Sequence, residues 1–175
     1  MPNLLELARY LRDVNDYRNY GLLRTLVNNG QLKVGVCWRL TPDDGRTDGK
    51  FTTYIDEPQR WRQFDLQLFN LLHQWVAVER KRSVALAENE KVLPAARFYH
   101  ELLTAYRDQR EAYFKEVKEQ LVDCALIFFD PDNGLEVKSI AKDRRNSEKY
   151  IYWDEIVTLP RRFNGGGVSR NCWIV

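Results

Sequence analysis

Short apolar runs alternate with amphipathic segments along this chain. The mainly apolar runs at residues 33–38 and 125–129 are typical of strands covered on both faces, as in a parallel sheet. A further short strand is predicted at 83–86, and another apolar run ends the sequence at 172–175. Amphipathic segments separate these runs. The pattern therefore favours an α/β fold with a mostly parallel sheet.

Apolar side chains recur every three or four residues in several segments, as expected for helices with one buried face. Helices are predicted over 3–11 and over 16–28, the second stopped by Gly30, and a short one near 153–159. Two further helices are indicated by their apolar faces. The first face comprises Trp61, Phe64, Leu68, Leu71, Leu72 and Trp75. The second comprises Phe98, Leu102, Tyr106, Tyr113, Val117 and Leu121. His73 and His100 fall on these two helices, and both are interpreted as structural.

The run at 125–129 continues directly into Asp130, Pro131, Asp132, Asn133 and Gly134. Pro131 lacks a backbone N–H and disfavours helix at Asp130, so the strand should end there. Asn133-Gly134 then supplies a turn that tolerates positive φ. Two carboxylates are therefore expected at the carboxyl end of a central strand, where open α/β sheets bind their ligands. Asp130, Pro131, Asp132 and Asn133 are the candidate catalytic residues.

These acids fit more than one kind of chemistry. In a pocket they could ligate a divalent cation, hold an exocyclic amine or transfer a proton, whereas outside one Asp130 would only cap a turn. Glu136 and Lys138 follow closely and are similar to the acid-x-lysine element of metal-dependent nucleases. A metal-dependent nuclease or phosphodiesterase using Asp130, Asp132, Glu136 and Lys138 is therefore one alternative. A non-catalytic interaction protein is another.

Composition narrows the class of protein. A chain of 175 residues with 44% hydrophobic and 30% charged residues is typical of one soluble globular domain spanning residues 1–175. The net charge of +2 is too small to indicate nucleic-acid binding by itself. No apolar run approaches the roughly 20 residues that span a bilayer, so no membrane partner is expected. Cys37, Cys124 and Cys172 lie far apart in apolar contexts, which favours buried thiols and a cytoplasmic location.

Two further observations bear on function. Tyrosines and arginines interleave between residues 10 and 24; such side chains can stack bases and contact phosphates, but a packed helix face is the favoured interpretation. The sequence contains no G-x-S-x-G, Walker A, H-E-x-x-H or C-x-x-C motif. Acyl-transfer, nucleoside-triphosphate and zinc chemistries therefore lack their usual markers.

Three segments together resemble an uncharacterised bacterial family: residues 13–24, the strand at 34–38, and Asp130-Pro131-Asp132-Asn133-Gly134-Leu135. That family is similar in turn to S-adenosylmethionine-dependent methyltransferases, including the 23S rRNA adenine-N6 enzyme. The resemblance implies a Rossmann-like sheet with helices on both faces and S-adenosylmethionine as cofactor. It also implies methyl transfer to an amine, with nucleic acid as a partner.

The amino-methyltransferases of that group carry Asp-Pro-Pro-Tyr after their fourth strand. There the acid and a backbone carbonyl hold the target amine, and the aromatic ring stacks on the base. Asp130 and Pro131 match the first two positions, which implies that Asp130 orients the acceptor amine. Asp132 and Asn133 stand in place of proline and tyrosine, so a carboxylate and an amide replace the stacking ring.

The resemblance also implies a set of cofactor-binding residues. Glu88, after the strand predicted at 83–86, matches the acid that binds the cofactor ribose. The polar loop at 41–49 takes the place of the cofactor loop after the first strand, which implicates Asp44, Gly45 and Gly49. That loop contains no G-x-G. The sequence also ends with the apolar run at 172–175, so the terminal strands of a complete methyltransferase sheet are expected to be absent and the sheet truncated at the C-terminus.

Overall fold

A computed structural model describes residues 13–28, 32–41, 52–79, 87–88, 92–157 and 172–174. The chain divides into two compact units, each built from two separate segments. Met1–Gly30 and Asp43–Pro94 form what we call the helical unit, and Gln31–Pro42 and Ala95–Val175 form the sheet unit. The single domain expected from the sequence stays a prediction.

The described part of the sheet unit contains four parallel strands, which confirms an α/β fold with a parallel sheet. The strands are β1 (Val34–Cys37), β2 (Arg97–Tyr99), β3 (Leu126–Phe129) and β4 (Cys172–Ile174), in the spatial order β2-β1-β3-β4. Every pair of neighbours is parallel, and Val36 lies opposite Phe98 on one side and Phe128 on the other. All four residues of β1 and of β3 are buried, as the uninterrupted apolar runs predict.

A long helix, α4 (Arg107–Gln120), leads from β2 to β3 and packs on one face of the sheet. Gly35 of β1 allows this close approach: a Cβ atom there would lie 3.0 Å from a methyl group of Leu121, just after α4. The core on this face joins the sheet to α4 and to the chain after β3. Its members are Cys37, Tyr99, Leu103, Tyr113, Phe114, Val117, Leu121, Cys124, Ile127, Phe129, Ile151 and Ile156.

The helical unit is built from one long helix and several short ones around a cluster of aromatic rings. Helix α1 spans Val14–Asn28, α2 spans Pro58–Trp61 and α3 spans Leu66–His73, which continues into a π-helical turn at Gln74–Val78. A 3-10 turn at Thr53–Asp56 precedes α2. In the sheet unit, a 3-10 turn at Ser147–Lys149 and the short helix α5 (Trp153–Val157) follow β3.

Two helix predictions are wrong in part. The segment from Trp61 to Trp75 is not one helix, because α2 ends and α3 begins anew at Asp65, whose carboxylate accepts the Leu68 N–H at 2.9 Å as an N-cap. Phe64 consequently lies on a turn and is 72% exposed.

The helix predicted from Phe98 begins only at Arg107, because Phe98 pairs with Val36 in the sheet. His100 therefore lies directly after β2 and not on a helix. The predicted helix at 3–11 and strand at 83–86 lie outside the described residues. In the described part of the chain, no helix is both long and apolar enough to cross a membrane.

Candidate functional site

The strand order places a topological switch point between the carboxyl ends of β1 and β3. The chain passes from β1 to its neighbour β2 on one side and then from β2 across to β3 on the other side. Where the direction of the connections reverses in this way, open parallel sheets commonly bind ligands in a crevice outside the carboxyl ends of the two central strands. The four predicted catalytic residues, Asp130 to Asn133, follow β3 at this place.

Asp130 makes the last backbone hydrogen bond between β1 and β3 at this edge of the sheet. Its backbone N–H donates to the carbonyl of Cys37 at 3.1 Å, so the pairing of β1 with β3 extends to the acid itself. The residue is half-buried. The two acids were expected to be delivered to the carboxyl edge of the sheet together, and Asp130 is at that edge.

Asp132 joins the loop after β3 to the chain after β1. Its Oδ2 atom accepts a hydrogen bond from the Thr41 hydroxyl at 3.0 Å, and Thr41 lies in the chain after β1. Lys149 Nζ lies 3.9 Å from the same oxygen and is itself buried, while the Asp132 side chain is 37% exposed. Thr41 and Lys149 were not predicted as partners, because nothing local in the sequence connects them to Asp132.

The turn after Pro131 has the predicted form. The Gly134 N–H donates to the Pro131 carbonyl at 3.3 Å, and Gly134 adopts a φ of +82°, which glycine adopts without steric cost. The Asn133 N–H donates to the Lys149 carbonyl at 3.0 Å. Beyond the turn, Leu135 forms a parallel bridge with Ile151. The acids are thus held on an ordered loop.

The residues of the nuclease alternative are not gathered into a visible metal site. Glu136 and Lys138 are exposed on the segment that leaves the turn. Within the described ranges, no group of three or more His, Cys, Asp and Glu side chains is arranged so that it could hold a metal ion.

Sequence reasoning missed Arg39, a guanidinium that is 1% exposed beside this edge. Its Nη2 atom donates to the carbonyls of Tyr150 at 2.6 Å and Glu148 at 3.3 Å, the residues on either side of Lys149. Nε and Nη1 have no hydrogen-bond partner among the described residues. Burial lowers the pKa of Arg39 below its usual value, because the charged form loses hydration. The sequence gives one signal for this residue, which is a single arginine between Trp38 and Leu40 at the end of an apolar strand.

A second buried arginine supports the same loop from α4. Arg110 donates from Nε and Nη2 to the two carboxylate oxygens of Glu155, at 2.7 and 2.9 Å. It also donates to the carbonyls of Ser147 and Tyr150, both at 3.1 Å. Arg39 and Arg110 therefore share the Tyr150 carbonyl, and together they fix the segment that carries Lys149 to Asp132.

The end of β1 carries a buried thiol. Cys37 Sγ lies 3.1 Å from the hydroxyl of Tyr113. Burial raises the pKa of the Cys37 thiol from its usual 9.0 to about 11, although the hydrogen bond with Tyr113 opposes the shift. This thiol is therefore a core group at neutral pH and a poor nucleophile.

The raised pKa of Cys37 predicts a loss of stability in alkali. Above pH 9 the unfolded chain loses the thiol proton while the folded chain keeps it, so the free energy of unfolding falls between about pH 9 and 11. Urea unfolding at pH 8 and pH 10.5 should show a loss about 2 kcal/mol larger in the wild type than in Cys37→Ala. Equal losses in the two proteins would contradict the assignment.

Of the four predicted cofactor-binding residues, the structure describes only Glu88. Asp44, Gly45 and Gly49 lie outside the described residues. Glu88 lies half-buried in the helical unit, next to Ala87, which is buried. Their role in cofactor binding stays a prediction.

Comparison with known proteins does not assign the chain to a family. Among protein-family models, curated proteins and solved structures, none matches this chain. The likeness to methyltransferases is therefore an expectation from the sequence. Function has to be argued from the residues that follow β1 and β3.

Proposed function

We propose that the sheet unit is a Rossmann-like domain that binds S-adenosylmethionine in the crevice after β1 and β3 and transfers a methyl group to a nucleobase-like amine. The supporting observation is the Thr41–Asp132 hydrogen bond, which joins the loops of the two central strands at 3.0 Å. It concentrates side chains at the reversal of strand order, where this class of sheet binds ligands.

The chemistry of the crevice residues fits such a cofactor. S-adenosylmethionine carries a sulfonium and an ammonium group, and Asp130 and Asp132 supply carboxylates at the same edge. The cofactor, when bound, supplies an electrophilic methyl group. The carboxylate of Asp130 accepts a hydrogen bond from the acceptor amine and orients its lone pair, so that positioning provides most of the catalysis.

The backbone of the turn provides a second acceptor. The Pro131 carbonyl already accepts the Gly134 N–H at 3.3 Å, and its other lone pair stays available for the second amine hydrogen. Asp132 has a different role, because the Thr41 hydroxyl and the Lys149 ammonium both lie at its Oδ2 atom. It keeps the two loops at a set separation and contributes negative charge.

Titration calorimetry with S-adenosylmethionine tests this proposal. Saturable heat is expected with S-adenosylmethionine and with S-adenosylhomocysteine, while ATP, which shares the adenosine moiety but has neither sulfur nor amino acid, should give none. No detectable heat at millimolar S-adenosylmethionine would reject the proposal. It would favour the alternative that the chain is a non-catalytic interaction protein. Heat from Mg²⁺ that is lost in Asp132→Asn would instead favour the phosphodiesterase.

A pair of matched variants locates the site. Asp132→Asn removes one negative charge at the carboxyl edge and should weaken S-adenosylmethionine binding about tenfold, because one charge–charge attraction to the cationic cofactor is lost. Asp123→Asn is the control, because Asp123 precedes β3 at the opposite edge and its side chain is 40% exposed, close to the 37% of Asp132. Equal effects of the two changes would place the ligand elsewhere.

A further inference from the structure

The helical unit carries a cleft of about 620 Å³ between α1 and the turn that joins α2 to α3. Two of the side chains that line it are apolar and strongly exposed: Phe64 is 72% and Leu22 is 48% accessible to solvent. The ring of Phe64 contacts Trp61 edge-on, with 6.3 Å between the ring centroids. An aromatic ring on the wall of a cleft with most of its surface in water offers a face to a ligand.

The wall that carries Phe64 is held in place from beneath. The hydroxyl of Tyr17 donates to the Trp61 carbonyl at 2.8 Å and accepts the Asp65 N–H at 3.0 Å, so it joins both ends of the turn. The rings of Tyr17, Tyr54 and Phe69 pack with Trp61 in one cluster, with centroid separations between 5.6 and 6.3 Å. Phe64 is therefore exposed on a rigid turn and not on a loose loop.

The cleft carries positive charge beside the ring of Trp61. Arg18 and Arg60 place their guanidinium carbons 5.5 and 5.3 Å from the centroid of the Trp61 ring. The acid in the lining, Asp65, is matched by Arg24 at 2.7 Å. Arg60 also lies 3.2 Å from Glu57, but both side chains are about half exposed or more, so that pair is weak.

We propose that this cleft binds single-stranded nucleic acid, with one base stacked on Phe64 and the flanking phosphates bound by Arg18 and Arg60. Exposed aromatic rings interleaved with arginines are how proteins bind single strands without sequence readout. A duplex keeps its base faces covered, so it can offer the cleft only phosphates. The proposal concerns the helical unit and does not depend on methyl transfer by the sheet unit.

Fluorescence anisotropy with the full chain and a labelled twelve-nucleotide oligo(U) tests this. Binding at 50 mM salt should weaken about 5- to 150-fold in Phe64→Ala, which is the measured range of one base–aromatic stack. Phe64→Trp should retain binding, because it retains a stacking face. Arg18→Ala and Arg60→Ala should each make the dependence of log K on log salt shallower by about 0.7.

Tyr106→Ala is the matched control, because Tyr106 is a 70% exposed aromatic residue in the sheet unit. It should bind like the wild type, and thermal unfolding should show that all the variants remain folded. Three results would overturn the proposal: unchanged binding in folded Phe64→Ala, equal weakening in Tyr106→Ala, or equal affinity for a duplex of the same length. Displacement of the oligonucleotide by a proline-rich peptide, with tighter binding of the peptide, would also overturn it.

Discussion

Replacing Arg110 with alanine is expected to lower the free energy of unfolding by about 3–5 kcal/mol, the usual cost of removing one partner of a buried ion pair. The side chains of Arg110 and Glu155 are only 3% and 7% exposed. Without Arg110, the buried Glu155 carboxylate would lose both guanidinium hydrogen bonds and keep only the more distant ammonium of Lys142, 3.6 Å from Oε1, as a cationic partner among the described residues. The change also removes the donors to the Ser147 and Tyr150 carbonyls. Urea unfolding followed by circular dichroism measures the loss.

Arg107→Ala is the matched control on the same helix. Arg107 forms an ion pair with Glu111 at 3.2 Å, but these side chains are 73% and 70% exposed. An exposed pair of this kind contributes little, so the control should lose at most about 1 kcal/mol. Similar losses in Arg107→Ala and Arg110→Ala would show that burial is not what makes the Arg110–Glu155 pair important.

Replacing Phe129 with alanine should cost about 3–5 kcal/mol of unfolding free energy. Phe129 is fully buried at the end of β3, and its ring lies 6.3 Å from that of Phe114 on α4. Alanine would leave a cavity between the central strand and the helix, directly before Asp130. The loop that carries the two acids begins at that point, so we also expect weaker S-adenosylmethionine binding under the proposed function.

Phe98→Ala provides the comparison within the same sheet. Phe98 belongs to β2, which has one neighbouring strand among the described residues, and is only half-buried, stacked on Trp38 with 5.9 Å between centroids. A partly exposed ring removes less apolar surface from water, so its loss should cost clearly less than that of Phe129. Urea unfolding of both variants measures which of the two loses more unfolding free energy. The reverse order would contradict the central placement of β3.

The strands and the turn at the site were predictable because their signals are local. The apolar runs at 33–38 and 125–129 became Val34–Cys37 and Leu126–Phe129, within one residue of their predicted ends. Pro131 and Gly134 act on their own backbone, the first by lacking an N–H and the second by tolerating a φ of +82°. Neither needs a distant partner.

The helix predictions failed where a partner outside the segment decided the outcome. Phe98 and Leu102 match a helical period, but parallel pairing takes Phe98 to Val36 and Leu102 to Leu40. Asp65 could have been interpreted as an exposed helical acid. It instead caps a new helix, and Arg24 binds it from α1.

Sequence alone therefore determined that the chain carries buried strands and that one of them ends in Asp130, Pro131 and Asp132, because apolar runs, proline and glycine act through neighbouring bonds. Tertiary structure decided what faces those acids. Thr41 lies 91 residues from Asp132 and meets it only because β1 and β3 are neighbours. The burial of Arg39 follows from the same long-range pairing, which no local pattern encodes, since each partner is selected by the packing of the whole sheet.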